Sequence, residues 1–222
     1  MMMLQIIQTT DGSHSLYSEE YGSSYHSKHG AVQESLHVFI EHGMRYKAAS
    51  LREISILEMG FGTGLNAWLA LLEAEKLNLK IRYTTIEACP LPLAIALQLN
   101  YPEQFPSPNG KAFFEQIHQA PWGEWTAMTP NFTLQKIAGK LEELDLPTGF
   151  DVIFYDAFGP ETQPALWDET MMRCMAAVLN PSGVLVTFCA KGAFRRALKS
   201  AGMVVEKLPG PPGKREMTRA VR

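Results

Sequence analysis

Only three cysteines occur in 222 residues, Cys89, Cys174 and Cys189, far apart and odd in number. That excludes a disulfide framework and the paired spacing of a zinc site, and it fits a reducing, cytoplasmic setting. The six histidines (His14, His26, His29, His37, His42, His118) have no metal-binding spacing with acids or cysteines, so no metal is expected. No apolar run approaches the roughly 20 residues that cross a bilayer, so no membrane partner is expected. The opening stretch, Met-Met-Met-Leu-Gln-Ile-Ile-Gln, lacks a basic flank and a long apolar core and does not read as a signal peptide. Repeats and low-complexity segments are absent. A hydrophobic content of 46% and a charged content of 19% are ordinary, and they point to one large globular domain or a domain with an extension.

Charge is scarce overall but unevenly placed. The net charge is −3, yet residues 191–222 carry nine Lys/Arg against Glu206 and Glu216, leaving +7 there and −10 in the rest. A basic end on an acidic body suits a localised anionic partner such as nucleic acid, or simply a solvated face of two elements.

Residues 56–64, Ile-Leu-Glu-Met-Gly-Phe-Gly-Thr-Gly, are the most informative stretch. A short apolar run ends in Glu58, and Gly60, Gly62 and Gly64 follow at alternate positions. An apolar helical segment then begins at Leu65. Glycine tolerates positive φ and lets a ligand lie against bare backbone, and a helix start offers free N–H groups. Two familiar phosphate motifs are excluded. The sixth position of a dinucleotide fingerprint is Leu65 rather than glycine, and no Gly-Lys-Ser/Thr is present. Alternating glycines after a strand-ending acid resemble motif I of class I S-adenosylmethionine methyltransferases.

The rest of the chain alternates strands and helices. Residues 1–50 read as an N-terminal extension with a hairpin near Asp11-Gly12 and a helix from Ala31, and residues 51–222 as the core domain. Strands are expected at Ile54–Glu58, Ile81–Glu87, Phe132–Ile137, Phe150–Tyr155, Val184–Cys189, Met203–Lys207 and Glu216–Val221. Helices are expected at 65–75, 90–100, 112–119, 164–179 and 192–200, with the Pro/Gly/Trp-rich remainder of 101–131 as loop. The fold class is therefore α/β and Rossmann-like. It has a mostly parallel seven-stranded sheet with an antiparallel edge.

Ligands of such sheets sit beyond the carboxyl ends of the strands. Glu87 ends the second core strand, 23 residues past Gly64, where an acid accepts hydrogen bonds from ribose hydroxyls. The next contact is expected around Gly139; the methyltransferases that the glycine motif resembles often place an acid near there, where this chain has Lys140. Asp156 follows directly on a buried strand. It is positioned to orient an amine or take its proton, or to cap the following helix. Phe158 and Trp167 are aromatic candidates for the substrate pocket, with core packing the alternative for Trp167. Tyr25 and His26 are candidates for a lid. Glu34 is a candidate for the methionine amino group. Arg195, Arg196, Lys214 and Arg215 are candidates for phosphate contacts.

A family resemblance covers nearly the whole chain. It rests on Gly-Phe-Gly-Thr-Gly-Leu-Asn (60–66), Glu87 with Pro90, Asp156-Ala-Phe-Gly-Pro (156–160), Pro164-x-Leu-Trp (164–167), Pro181-x-Gly (181–183) and Gly213-Lys-Arg-Glu-Met (213–217). In this order they resemble the MnmC methyltransferase-domain family and its stand-alone MnmD-type members. The N-terminal segment from His26 to Ile40 is similar as well. The resemblance implies S-adenosyl-L-methionine as cofactor, bound by Glu58, Gly60, Gly62, Gly64, Asn66 and Glu87. It implies tRNA as partner, with methyl transfer to the amine of 5-aminomethyl-(2-thio)uridine 34. A separate enzyme system then supplies that amine, since no flavin oxidase segment follows Arg222. Two rival readings are a small-amine transferase of polyamine-synthase type and a non-catalytic RNA-binding protein on the same fold. The first has no use for Lys214 and Arg215, and the second has no use for an intact glycine turn with Asp156.

Overall fold

Near-continuous apolar strands form the centre of the sheet because both of their faces are covered by helices. The computed structural model describes residues 3–222, so the first two residues of the opening stretch lie outside it. The N-terminal residues fold as a small antiparallel sheet, β1 (Leu4–Gln8), β2 (His14–Ser18) and β3 (Ser23–Ser24). Its hairpin turns at Gly12, φ 85°. Asp11 in that turn accepts from the Gln33 backbone N–H at 3.0 Å and so caps the next helix.

That helix, α1, runs through residues 31–48. Its middle, Leu36–Arg45, is π-helical. Gly43 lets it lie close on the sheet, since a Cβ there would sit 2.9 Å from Val186 and 3.0 Å from Phe154. Val38, Phe39, Ile40 and Met44 share one hydrophobic cluster with the sheet.

The main sheet contains β4 (Glu53–Met59), β5 (Lys80–Glu87), β6 (Trp125–Thr129), β7 (Phe132–Ala138), β8 (Phe150–Tyr155), β9 (Leu179–Thr187), β10 (Val204–Pro209) and β11 (Glu216–Val221). Their spatial order is β10-β11-β9-β8-β4-β5-β7-β6. The five central strands β9, β8, β4, β5 and β7 are parallel, whereas β6, β11 and β10 pair antiparallel. On one face lie α1, α2 (Leu65–Leu77) and α3 (Gly110–Gln119). On the other lie α4 (Glu169–Val178) and α5 (Gly192–Ser200).

Four expectations are corrected. The sheet has eight strands, not seven, because Trp125–Thr129 in the Pro/Gly/Trp-rich region pairs with β7. Both edges are therefore antiparallel. The single helix expected over 90–100 is reduced to Leu93–Ala96, with a further turn at Tyr101–Gln104. Glu87 captures the Cys89 N–H at 2.8 Å, and Pro90 and Pro92 delay the helix start. The helix expected over 164–179 breaks at Asp168, whose carboxylate caps α4 by accepting from Met171 N at 2.8 Å; Pro164–Trp167 before it is a 3₁₀ turn. Finally, β9 begins at Leu179, accommodates the Asn180–Gly183 bend as an irregularity with Ser182 at φ 62°, and stops at Thr187 rather than Cys189.

Candidate functional site

The carboxyl ends of β4, β5, β7 and β8 open into a cavity of about 330 Å³. Its floor is the glycine turn. Gly60, Gly62 and Gly64 have φ of 87°, 47° and 72°. A Cβ on Gly60 would lie 2.9 Å from the Asp156 carbonyl oxygen, and one on Gly64 would lie 2.8 Å from His118 Nε2. Side chains are thus excluded by crowding behind the turn as well as by conformation. The turn is pinned from behind, because the Gly60 and Phe61 N–H groups both donate to the Ile86 carbonyl. Beneath Phe61, the ammonium of Lys136 donates to the His118 carbonyl at 2.8 Å and faces the Phe61 and Trp122 rings. Burial lowers the Lys136 pKa to about 8 and that of His118 to about 4.

Glu87 stands half-buried at the wall. Its carboxylate accepts from the Gly62 N–H at 2.9 Å and from the Cys89 N–H at 2.8 Å, so it fixes the turn and keeps lone pairs for a ligand. Burial raises its pKa. Gly139, Leu141 and Glu142 form the wall beyond β7. The side chain of Lys140 turns to Glu143 in an exposed pair at 3.7 Å. Glu142, two residues past the expected position, is the acid on that wall; the sequence reading missed it.

Asp156 closes the opposite wall. Its backbone N–H donates to the Met59 carbonyl, tying the end of β8 to the end of β4. Its carboxylate accepts from Asn66 Nδ2 at 2.8 Å. Enclosure and the nearby charge of Glu34 raise its pKa well above the usual carboxylate range, while Asn66 and Lys214 act in the opposite direction. Asp156 does not cap the segment that follows; that service falls to Asp168 for α4.

An aromatic roof covers the cavity. The Phe158 ring lies 4.5 Å from Tyr21 and meets Tyr25 edge-on at 5.0 Å. Tyr21 was missed in the sequence because nothing in the Ser/Tyr-rich segment marks one tyrosine over another. His26 lies behind the roof, buried, with Nδ1 3.0 Å from Ser15 Oγ, and burial holds its pKa near 4.

Several candidate residues have partners that change their reading. Glu34 is buried and paired with Lys214 at 2.5 Å, and it accepts from the Ser27 N–H. Lys214 also lies over the Phe188 ring at 4.0 Å. This pair joins the N-terminal segment to the loop before β11, beside Asp156. Trp167 is buried against Tyr155 and Phe194, and its indole donates to the Phe158 carbonyl at 2.7 Å. It therefore shapes the loop that carries Phe158 and has no free face to stack a base. Arg195 is buried too, bonded to Glu216, Thr218 and the Met217 carbonyl, so its guanidinium is committed to the fold. Arg196 and Arg215 are exposed. Arg215 lines a neighbouring groove with Lys191 and Lys214, next to Gly159 and Pro160. Among the described residues, no group of three or more His, Cys, Asp or Glu side chains could hold a metal ion. No helix among them is long and apolar enough to cross a membrane.

Known proteins resemble this arrangement. The tRNA 5-methylaminomethyl-2-thiouridine biosynthesis bifunctional protein MnmC of Methylobacillus flagellatus is 31% identical over 216 residues, covering 90% of this chain and 33% of that protein. The protein of the same name from Cupriavidus metallidurans is 30% identical over 224 residues, with 91% and 32% covered. The chain thus spans about a third of the length of the curated relatives it matches. Among solved structures, MNMC2 from Aquifex aeolicus superposes with a TM-score of 0.79 at 26% identity, over 98% of this chain and 70% of that one. Spermidine synthase from Thermotoga maritima shares the fold, with a TM-score of 0.61 at 14% identity, over 100% and 69%. A family profile described as S-adenosyl-L-methionine-dependent methyltransferase matches residues 111–222, half of the sequence. The chain belongs to that family of S-adenosyl-L-methionine-dependent methyltransferases.

Proposed function

We propose that the protein methylates the primary amine of 5-aminomethyl-(2-thio)uridine at position 34 of tRNA, giving the 5-methylaminomethyl nucleoside. The observation that carries this reading is the Asp156 carboxylate, held by Asn66 on the wall of the cleft that the glycine turn and Glu87 form. The relatives named for 5-methylaminomethyl-2-thiouridine biosynthesis support the choice of substrate.

Bound in the cleft, S-adenosylmethionine supplies an electrophilic methyl carbon on its sulfonium. The crowded glycine backbone and the free lone pairs of Glu87 fit such a ligand. Glu87 receives the ribose hydroxyls, and Gly139, Leu141 and Glu142 receive the adenine, with Glu142 as acceptor in place of Lys140. A primary alkyl ammonium has no lone pair at neutral pH. Asp156 holds the amine in line and, in its ionised form, takes its proton. Tyr21, Tyr25 and Phe158 keep water from the reacting centre. Arg196, Arg215 and Lys191 contact phosphates. The reaction belongs in the cytoplasm, where tRNA is processed.

The test is incubation with S-adenosylmethionine and tRNA from cells lacking the terminal methylation, followed by nucleoside mass analysis. Conversion of the aminomethyl to the methylaminomethyl nucleoside supports the proposal. An unchanged nucleoside profile refutes it.

A further inference from the structure

Behind Asp156 lies a buried polar cluster whose inner members, Glu58, Tyr83 and Thr85, do not line the cavity, so Glu58 is not placed against a cofactor as its motif position suggests. Glu58 of β4 is fully buried, and so are Tyr83 and Thr85 of β5; Asn66 in the first turn of α2 is nearly so. Glu58 sits directly opposite Thr85 in the parallel register, and Ile56 opposite Tyr83, so all three polar side chains share one sheet face under α2. Both Glu58 oxygens, Asn66 Oδ1, Tyr83 Oη and Thr85 Oγ1 lack a closed hydrogen bond. Thr85, Asn66 and Tyr83 are the side chains that reach the Glu58 carboxyl.

We propose that Glu58 is a positioning residue that stays protonated and, by donating to Asn66 Oδ1, holds the Asn66 amide against Asp156. Donor counting supports this assignment. A carboxylate only accepts, so an ionised Glu58 needs both the Tyr83 and Thr85 hydroxyls for itself, and Asn66 Oδ1 then has no donor. A protonated Glu58 accepts from the two hydroxyls and donates its own proton to Asn66 Oδ1, which gives each of the five atoms a partner. The far side of the Asn66 amide already donates to Asp156 Oδ2 at 2.8 Å. Enclosure agrees with this state, raising the Glu58 pKa to about 8. The other titratable groups acting on the cluster are Tyr83, Glu87 and Asp156, with Glu34 and Lys214 acting on Asp156 from its other side. The inference rests on the reading of Asp156 as the group that meets the amine.

The experiment uses the full chain with Glu58→Gln, Glu58→Leu and Asn66→Leu, and with Asp156→Asn as reference. Gln keeps a donor for Asn66 and an acceptor for the hydroxyls, whereas Leu keeps only the volume. Single-turnover methylation of an anticodon stem-loop carrying the aminomethyl group should be faster in Glu58→Gln than in Glu58→Leu by on the order of 10²-fold. It should fall on the order of 10²-fold in both Leu variants, as expected for a misplaced catalytic group. The S-adenosylmethionine Kd from calorimetry should move less than about threefold, since ground-state binding is untouched. Infrared difference spectra should show a protonated carboxyl band that Glu58→Gln removes, and an Asp156 band that shifts in Glu58→Leu but not in Glu58→Gln. Wild-type rates in Glu58→Leu, or Glu58→Gln as slow as Glu58→Leu, overturn the proposal. If Glu58→Leu melts early, Asn66→Leu decides in its place. Asp156→Asn at wild-type rate, or an inert wild type, instead defeats the reading of the site. In that case the infrared bands, which need no substrate, still decide the role of Glu58.

Discussion

Asp156, Glu58 and Glu87 could be singled out in the sequence because each acid ends an apolar run, and strand ends of a parallel sheet face the ligand. Their inequality could not. Glu87 is bonded to two backbone N–H groups, Asp156 to one amide, and Glu58 to nothing but its own cluster. Stability should record the difference. The folded pKa of Glu58 is raised from 4.5 to about 8, so its contribution is complete below 4.5 and is lost as pH rises through 8. Lys136 has the opposite sign, since its pKa falls from 10.5 to about 8 and the fold regains stability between those values. His26 and His118, lowered from 6.5 to about 4, add stability as pH rises to 6.5, so thermal melts should show the Glu58 decline between about pH 6.5 and 8, and Glu58→Gln should flatten it. An equal decline in Glu58→Gln would place the titrating group elsewhere, with Asp156 and Glu87 next in line. Arg195 and Arg196 make the same point about neighbours. One residue turns a helix by a quarter of a circle or more, which sends Arg195 inward with Phe194 and Leu198 and leaves Arg196 outside. Arg195→Ala should cost on the order of 2 kcal/mol, from its charged hydrogen bonds, whereas Arg196→Ala should stay within about 0.5 kcal/mol of wild type in urea unfolding.

At the scale of elements, strongly patterned segments were the legible ones. The all-apolar Phe150–Tyr155 and the amphipathic Gly192–Ser200 form the elements their sequences announce. Trp125–Thr129 escaped notice because an edge strand needs only one partner and one covered side, and here Arg82 lies over the Trp125 ring at 4.8 Å. The turn after β4 was legible for a steric reason that can be tested. Gly60→Ala places a Cβ 2.9 Å from the Asp156 carbonyl and forces a side-chain residue to φ 87°. The conformational term alone is about 1–2 kcal/mol. The expected outcome is a lower melting temperature together with weaker S-adenosylmethionine binding in calorimetry. A melting temperature and Kd equal to wild type would mean that the turn relaxes freely and does not cradle the ligand.

For the molecule as a whole, the charge asymmetry was visible in the sequence but its distribution in space was not. Lys214 lies 180 residues from Glu34, and no local pattern could foretell their pairing at 2.5 Å. Of the basic C-terminal residues, Arg195 serves the fold, Arg219 pairs with Glu206 and Lys191 with Glu161, whereas Arg215 is exposed on the groove beside the cleft and Arg196 is exposed on α5. Removing Arg196 or Arg215 should weaken RNA binding across sequences and reduce the salt slope by about 1 each. An unchanged slope would put the RNA elsewhere on the surface. The most direct measurement for the whole account compares wild type and Asp156→Asn for single-turnover transfer of a labelled methyl group to aminomethyl-bearing tRNA, alongside calorimetric S-adenosylmethionine binding. The account predicts methylated wobble uridine from the wild type, a rate lower by about 10²–10⁴ in the variant, and cofactor binding largely kept. Equal rates in the two proteins, or no label reaching that nucleoside, would contradict it.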